Sequence, residues 1–450
     1  MATAYITRTP AGAGSYRKMT ISAWVKRGNM LSTNGAIWST GSDTSNFVDF
    51  NFNDSDRLEL KAKNGGSYVM RKATVALYRD PSAWYHIVAA IDTDQVVAAD
   101  RNKIYINGVQ YPGTWDTDTD ATLNVDLSMN TTSDVAYVGR GTMDTSAYWS
   151  GSMSHVQFVD GLQLAPTEFG EFDSTSGIWK IKTTAYATPG TNGFYLKMED
   201  RTNLDLDSSS NAFTFTTSGT LTATYDNPSN NFATMNPLDN YYPAGTFSTG
   251  NNTVVTTGGV YAPNISTLGM SGGKWYWEFK TTARVAGANM LMGITSTQST
   301  AAAQELGEFD DDWSVDAFNG EKRNSDASTS YGVSWDTEVM GVALDLDNNK
   351  LYFGKDNVWM NSGVPTSGAT GTGAISITAP ASTPLGEYFA GASYWTSGGA
   401  TFSWNFGNGY FGTTAVTSAE ADGAGIGAFE YAPPTGYYAL CTKNIKAYGG

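Results

Sequence analysis

One cysteine, Cys441, in 450 residues excludes an intrachain disulfide framework. Only two histidines, His86 and His155, are available for imidazole chemistry or metal ligation. Charged residues make up 16% of the chain, and 43 acidic against 27 basic side chains give a formal net charge of −16. Binding to nucleic acid depends on Lys and Arg neutralising phosphates, so this balance excludes a nucleic-acid partner. No apolar run approaches the roughly 20 residues of a membrane-spanning helix, and insertion into a membrane is not expected. No heptad or collagen-like repeat is present to build a shaft. The opening Met-Ala-Thr-Ala-Tyr-Ile-Thr-Arg lacks the basic and apolar regions of a secretory signal, which predicts folding in the cytoplasm of the cell that makes the chain.

What the sequence does have is turn-forming and strand-forming residues in quantity. It carries 49 glycines and 13% aromatics, and sustained period-3.6 patterning is missing. A chain this long exceeds one ordinary core. The expected fold is all-β, with two antiparallel β-sandwiches of the jelly-roll kind in tandem. The sandwiches are expected over residues 1–200 and 246–450, with an ordered connector over 201–245. Pro228, Pro237 and Pro243 interrupt any strand ladder in that connector, while Ala233-Thr-Met-Asn-Pro-Leu-Asp239 carries apolar side chains that a free linker would lack.

In the first half, Met19, Ile21, Ala23 and Val25 alternate with Thr20, Ser22, Trp24 and Lys26, as in a strand covered on both faces. Strands are also expected at Phe47–Phe52, Leu58–Lys61 and Trp84–Ile91. Lys103-Ile-Tyr-Ile106 runs into Asn107-Gly108, a dipeptide suited to the positive φ angles of a tight hairpin, and Val109-Gln110 begins the return. Three segments, Trp84-Tyr-His-Ile-Val88, Ile104-Tyr-Ile-Asn-Gly108, and Tyr137-Val-Gly139 followed by Trp149-Ser-Gly-Ser-Met-Ser-His-Val-Gln157, resemble the laminin-G or concanavalin A-like jelly roll over about residues 15–200. The resemblance implies two antiparallel sheets that bind glycans or proteins through one face or rim.

In the second half, Trp275, Trp277 and Phe279 share one face of a strand, and Tyr276 and Glu278 share the other. Met292-Gly-Ile294, Tyr331-Gly332, Val339-Met-Gly-Val-Ala-Leu-Asp-Leu-Asp347, Leu351-Tyr-Phe353 and Thr401-Phe-Ser-Trp-Asn-Phe-Gly407 follow in order. This succession resembles a SPRY domain, which implies a bent β-sandwich that binds partners through loops and carries out no catalysis. The Asn-Gly usual after the Leu-Tyr-Phe strand is replaced by Gly354-Lys-Asp-Asn357, which predicts an altered loop.

The tandem arrangement is similar to virion proteins of marine bacteriophages, particularly those of cyanobacterial hosts. The residues that carry this wider likeness are Ile6-Thr-Arg-Thr-Pro10 with Ala23-Trp-Val-Lys-Arg-Gly28, Asp226-Asn-Pro-Ser-Asn-Asn-Phe-Ala-Thr-Met-Asn-Pro237, and Pro434-Thr-Gly-Tyr-Tyr-Ala-Leu-Cys-Thr-Lys-Asn444. It implies a non-enzymatic structural protein on the virion surface, made in the bacterial host cytoplasm and displayed as a fibre, spike or decoration for attachment. The implied partners are other virion proteins of the capsid or tail, a host-surface glycan or protein, and further copies of the chain in a homo-oligomer. Two alternatives stand beside it: a carbohydrate-binding tail adhesin, and a glycan-degrading enzyme.

Residues able to do chemistry are sparse. Both histidines lie in strand-like segments beside aromatics, and no Gly-x-Ser-x-Gly elbow accompanies either. Glu308, Asp310 and Asp312 alternate but fall in an expected loop, and the Glu-x-Asp-x-x-Glu strand of jelly-roll glycosidases is missing. Asp116, Asp118 and Asp120 are the candidate Ca²⁺ ligands, without the Gly and Glu that complete an EF-hand loop, and Asp92, Asp94 and Asp100 form a second acidic group. For ligand contact the candidates are Trp115, Trp149, Trp313, Trp335, Trp359 and Trp395, each next to turn residues, because a flat ring buries a sugar face or partner side chain at low entropy cost. The segment Ala432–Leu440 and the N-terminal strand are candidate docking elements.

Overall fold

The computed structural model describes residues 3–28, 34–142, 144, 146–239, 245–256, 261, 263–284, 289–297, 304–395 and 399–449, with the side chain of Trp395 outside that set. The chain divides into two compact units, Met1–Ala223 and Thr224–Gly450. Both are antiparallel β-sandwiches, the fold class expected from the sequence.

In the first unit, strands Lys18–Arg27 and Trp84–Asp92 lie side by side at the centre of a six-stranded sheet, pairing Ile21 with Ala89 and Ala23 with Ile87. Period-2 alternation sends Ile21, Ala23, Val25, Ile87, Ala89 and Ile91 into the core. Facing them is an eight-stranded sheet that contributes Trp38, Val48, Phe50, Leu58, Leu60 and Ala62. The Asn107-Gly108 hairpin forms as expected, with φ of 48° and 82°, and Ile106 pairs with Val109. Gly108 is required twice over: besides its positive φ, a Cβ there would lie 2.3 Å from the Trp179 ring.

In the second unit, strand Lys274–Arg284 pairs with Val339–Asp345 on one side and Ala400–Asn405 on the other. Trp275, Trp277 and Phe279 enter the main core with Val342, Leu344, Phe353, Phe402 and Trp404. A second sheet supplies Met290, Met292, Ile294, Val315 and Tyr394 from the opposite side. Tyr276 points outward into a separate cluster with Phe429, Tyr437, Ala439 and Cys441, so the C-terminal segment roofs the outer face of the sheet. Tyr438–Ala439 joins the same sheet in parallel, Trp275 opposite Tyr438, and helix Thr442–Tyr448 follows. Ala432–Leu440, a candidate docking element, is thus in part a structural element, with Tyr437, Ala439 and Leu440 buried.

The expected connector is divided between the units. Residues 201–223 complete the first, where Phe215 joins the core and Thr216–Ser218 pairs with Tyr5–Arg8. Residues 224–239 belong to the second, where Ala233 and Met235 are core residues. Pro243 lies outside the described residues.

Glu278 ties the roof to the second unit. Its carboxylate is fully buried and accepts hydrogen bonds from the backbone N–H of Glu430 (2.8 Å) and Tyr431 (2.9 Å), from Asn405 Nδ2 (3.1 Å) and from the Tyr276 hydroxyl (3.1 Å). Loss of water outweighs these four bonds and pushes the carboxyl up to about 7 from an ordinary value of 4.5. The folded chain therefore holds this proton more tightly than the unfolded chain. The group's contribution to stability is complete below about pH 4.5 and is lost as pH rises through about 7. At ~1.4 kcal/mol per pH unit the swing is on the order of 3 kcal/mol. Denaturant unfolding of the full chain at pH 5 and pH 8 is expected to show a fall in stability of the second unit that Glu278→Gln reduces by about that amount; equal pH slopes for both proteins would refute the assignment.

Candidate functional site

Both histidines lie in strands of the six-stranded sheet, each bonded to a serine, and their proton order decides what they can do. His86 Nε2 is 2.8 Å from Ser22 Oγ, and His86 Nδ1 accepts the Trp179 Nε1–H at 3.0 Å. Indole N–H only donates, so Nε2 carries the ring proton and gives it to the serine. A general base needs the reverse order, and burial holds this imidazole neutral, its pKa lowered to about 3. The Trp24–His86–Trp179 stack, at 4.9 and 5.7 Å between centroids, is packing.

His155 is arranged differently. Its Nδ1 is 2.6 Å from Ser154 Oγ and its Nε2 is 3.2 Å from Glu199 Oε1. The carboxylate favours the proton on Nε2 and leaves Nδ1 free to accept from the serine. This nucleophile–base–acid order was not read from the sequence, because Glu199 lies 44 residues from His155 and only the pairing of Phe194–Leu196 beside Gly151–Asp160 brings them together. His155 sits at the irregularity between Ser154 and Gln157 with φ of 52°. Ser154 is 7% exposed and His155 8%, so the string braces a bulge inside the sheet.

The acidic groups are engaged by cations. Asp116 pairs with Arg57, and Lys72 Nζ lies 2.7 Å from Asp118 and 2.8 Å from Asp120. Asp116 and Asp118 lie in a strand, Trp115–Thr119, with Asp120 directly after it, and not in an EF-hand-like loop. Among the described residues no three acidic, Cys or His side chains are gathered to hold a metal ion. Asp92 and Asp94 both meet Lys18, Asp94 also meets Arg17, and Asp100 meets Lys103. In the second unit, Asp310 is exposed and Glu308 half-buried, whereas Asp312 is buried. Burial pushes the Asp312 carboxyl up to about 7. It borders a cavity of about 20 Å³ lined also by Asn264, Thr295, Thr297 and Glu305, room for a single water.

The six candidate tryptophans separate by burial. Trp149, 7% exposed, and Trp335, 2% exposed, are core residues and are corrected as ligand contacts. Trp115 is half-buried beneath Lys72 (4.7 Å) and against Tyr111 (4.8 Å). Trp313 is half-buried against the second core. Trp359 is half-buried over Gly354. The side chain of Trp395 lies outside the described residues.

Exposed apolar side chains occur on both units, Val96, Phe172 and Ile178 among them on the first, and Phe318, Val333 and Val358 as an apolar rim on the second. Phe318, Val333 and Val358 are 52%, 57% and 71% exposed. The segments that carry the first two meet backbone to backbone: Gly332 N–H donates to Gly320 O at 2.8 Å, and a Cβ on Gly320 would lie within 2.6 Å of Val333 backbone atoms. A Cβ on Gly332 would strike Met360 Sδ at 2.3 Å, which sets Val333 beside the Val358–Trp359 strand. The altered loop after Leu351-Tyr-Phe353 still makes a tight hairpin, because Asp356 and Asn357 both adopt positive φ, 45° and 64°. That hairpin presents Val358 to solvent. The sequence signal was present in Ala317-Phe-Asn-Gly320, Gly332-Val-Ser334 and Asn357-Val358, apolar residues flanked by turn formers, but a search for tryptophans passes over them.

Residues 2–167 match the family model of the concanavalin A-like lectin/glucanases superfamily, and residues 274–381 match that of the SPRY domain. A concanavalin A-like domain thus precedes a SPRY domain. Among solved structures, the SPRY domain of human HERC1 aligns at 11% identity and TM-score 0.30, covering 38% of this chain and 96% of that one. Stonustoxin aligns at 18% identity and TM-score 0.28, covering 38% of this chain and 27% of that one. The native heptameric SAP-like pentraxin from Limulus polyphemus aligns at 16% identity and TM-score 0.27, covering 36% of this chain and 71% of that one. No curated protein matches the chain. The apolar rim belongs to the SPRY domain, and both serine–histidine pairs belong to the concanavalin A-like domain.

The burial of Ser154 makes a direct prediction. A fluorophosphonate probe is expected to leave the native chain unlabelled by intact mass; stoichiometric labelling at Ser154, lost in His155→Gln, would turn the bracing string into a nucleophile.

Proposed function

We propose that the chain is a non-enzymatic structural protein of a bacteriophage virion, displayed on the particle as a fibre, spike or decoration and acting in attachment by surface recognition. The observation that carries the recognition role is the Phe318–Val333–Val358 rim. Exposed apolar side chains fixed by tight turns at one place on a strongly acidic domain are the kind of feature that protein partners cover. Support for the virion setting comes from the tandem order of the two domains and from the likeness of the three segments 6–28, 226–237 and 434–444 to phage virion proteins. The other virion proteins, or a protein on the host surface, are the proposed occupants of the rim.

Immunogold labelling of purified particles with antibodies against residues 230–450 tests the setting. Label on the capsid identifies a decoration or head fibre, label on the tail identifies a receptor-binding role, and bare particles would refute the virion assignment. For the rim, Val358→Asp is expected to weaken incorporation or cell binding at least tenfold while shifting the melting temperature by no more than about 2 °C, since an exposed substitution costs little stability. Unchanged binding would remove the rim from the account.

A further inference from the structure

We propose that Arg140, with Tyr5, Tyr137 and Tyr148, forms a binding site for an acidic saccharide, a sugar that carries a carboxylate on its ring. This deepens the recognition role proposed above and rests on it. The site is on the concanavalin A-like domain, on the outer face of the eight-stranded sheet. Strand Tyr5–Arg8 pairs with Val135–Val138, Ile6 opposite Val138 and Thr7 opposite Tyr137. Ile6 and Val138 are core residues, so alternation turns Tyr5 and Tyr137 to the opposite face. A bridge between Arg140 and Tyr148 adds the third ring. The Tyr5 ring lies 5.8 Å from Tyr137 and 6.2 Å from Tyr148. The Arg140 guanidinium carbon is 5.1 Å from the Tyr5 ring centroid and 4.8 Å from that of Tyr137.

The cation in this cluster has no carboxylate partner among the described residues, a state it shares with Arg8, which lies over the Phe213 ring, and Arg101, which donates to the backbone carbonyls of Gln95, Val96 and Ala121. Arg17, Arg27, Arg57, Arg71 and Arg79 each meet a carboxylate. Arg140 makes no ion pair among the described residues, and its Nε is buried without a hydrogen-bond acceptor. In a chain of net charge −16, Arg140 is oriented, among the described residues, by the faces of Tyr5 and Tyr137. Those faces hold the guanidinium in place, so little side-chain entropy remains to be lost when an anion arrives. The planar fork matches a carboxylate with two parallel N–H···O bonds. Three half-buried tyrosines around it offer flat faces for sugar C–H groups and phenol hydroxyls for ring hydroxyls. A single cation suits one charge per sugar ring, whereas a phosphate-rich polymer would require several.

Calorimetric titration of the full-length chain with trigalacturonate, and with maltotriose as the neutral control, tests the site. Trigalacturonate is expected to bind and maltotriose to bind at least tenfold more weakly. Arg140→Gln is expected to lower trigalacturonate affinity at least tenfold. Arg140→Lys keeps the charge and the fold but loses the fork, and is expected to lose most of the same affinity. No trigalacturonate binding to the unaltered chain, or equal affinity in all three proteins, would overturn the proposal. Failure here is separable from failure of the recognition role, because cell or particle binding that depends on Val358 but not on Arg140 would remove the saccharide site and leave the rim standing.

Discussion

A few buried carboxylates, each accepting several backbone N–H groups, fix loops and terminal segments of both domains onto their sandwiches. Glu278 fastens residues 430–431 over the SPRY domain. Asp422 takes the N–H groups of Ala424, Ile426 and Ala439 together with the Asn444 amide. In the concanavalin A-like domain, Asp160 gathers the backbone of Ser15 and Asn192 and the side chain of Asn130, while Asp207 takes Tyr195, Ser209 and Phe213. A buried carboxylate with several such donors is a strong tie, since removing it leaves each buried N–H without a partner. The same burial explains why these acids bear on structure: their oxygens face the chain itself.

The histidines and surface acids follow the same economy. His86 is fixed by an indole donor in the tautomer that cannot take a proton from Ser22. The row Asp116, Asp118 and Asp120 is met by Arg57 and Lys72 before any ion could use it. Among what the described surface leaves exposed are the Phe318, Val333 and Val358 side chains of the SPRY domain and the Arg140–tyrosine cluster of the concanavalin A-like domain. Under the proposed role, two chemically different surfaces, one on each domain, would serve separate contacts.

Much of the fold was legible because strand alternation and turn chemistry are local. The opposed faces of Trp275-Tyr-Trp-Glu-Phe279 and the Asn107-Gly108 hairpin can be read from adjacent residues, and the structure has both. The connector was not legible as a unit, since Phe215 and Met235 look alike in sequence but enter different cores. The candidate sites were less legible still. A tryptophan beside a turn can face solvent or cap a core, and only packing shows that Trp149 and Trp335 do the latter. Arg140 and Tyr5 are 135 residues apart in the chain and meet through strand pairing, while the rim joins residues 318, 333 and 358 through turns whose partners no local pattern identifies.

The central claim is that this protein acts by exposed surfaces held on a rigid polar frame. Its most direct test is competition: purified full-length chain, in excess, is added to host cells before the particles that carry it, and the rate of particle adsorption is measured. The account predicts that the free chain slows adsorption severalfold and that the Val358→Asp chain does so much less. Adsorption that proceeds at the same rate with either chain, on particles shown to display the protein, would contradict it.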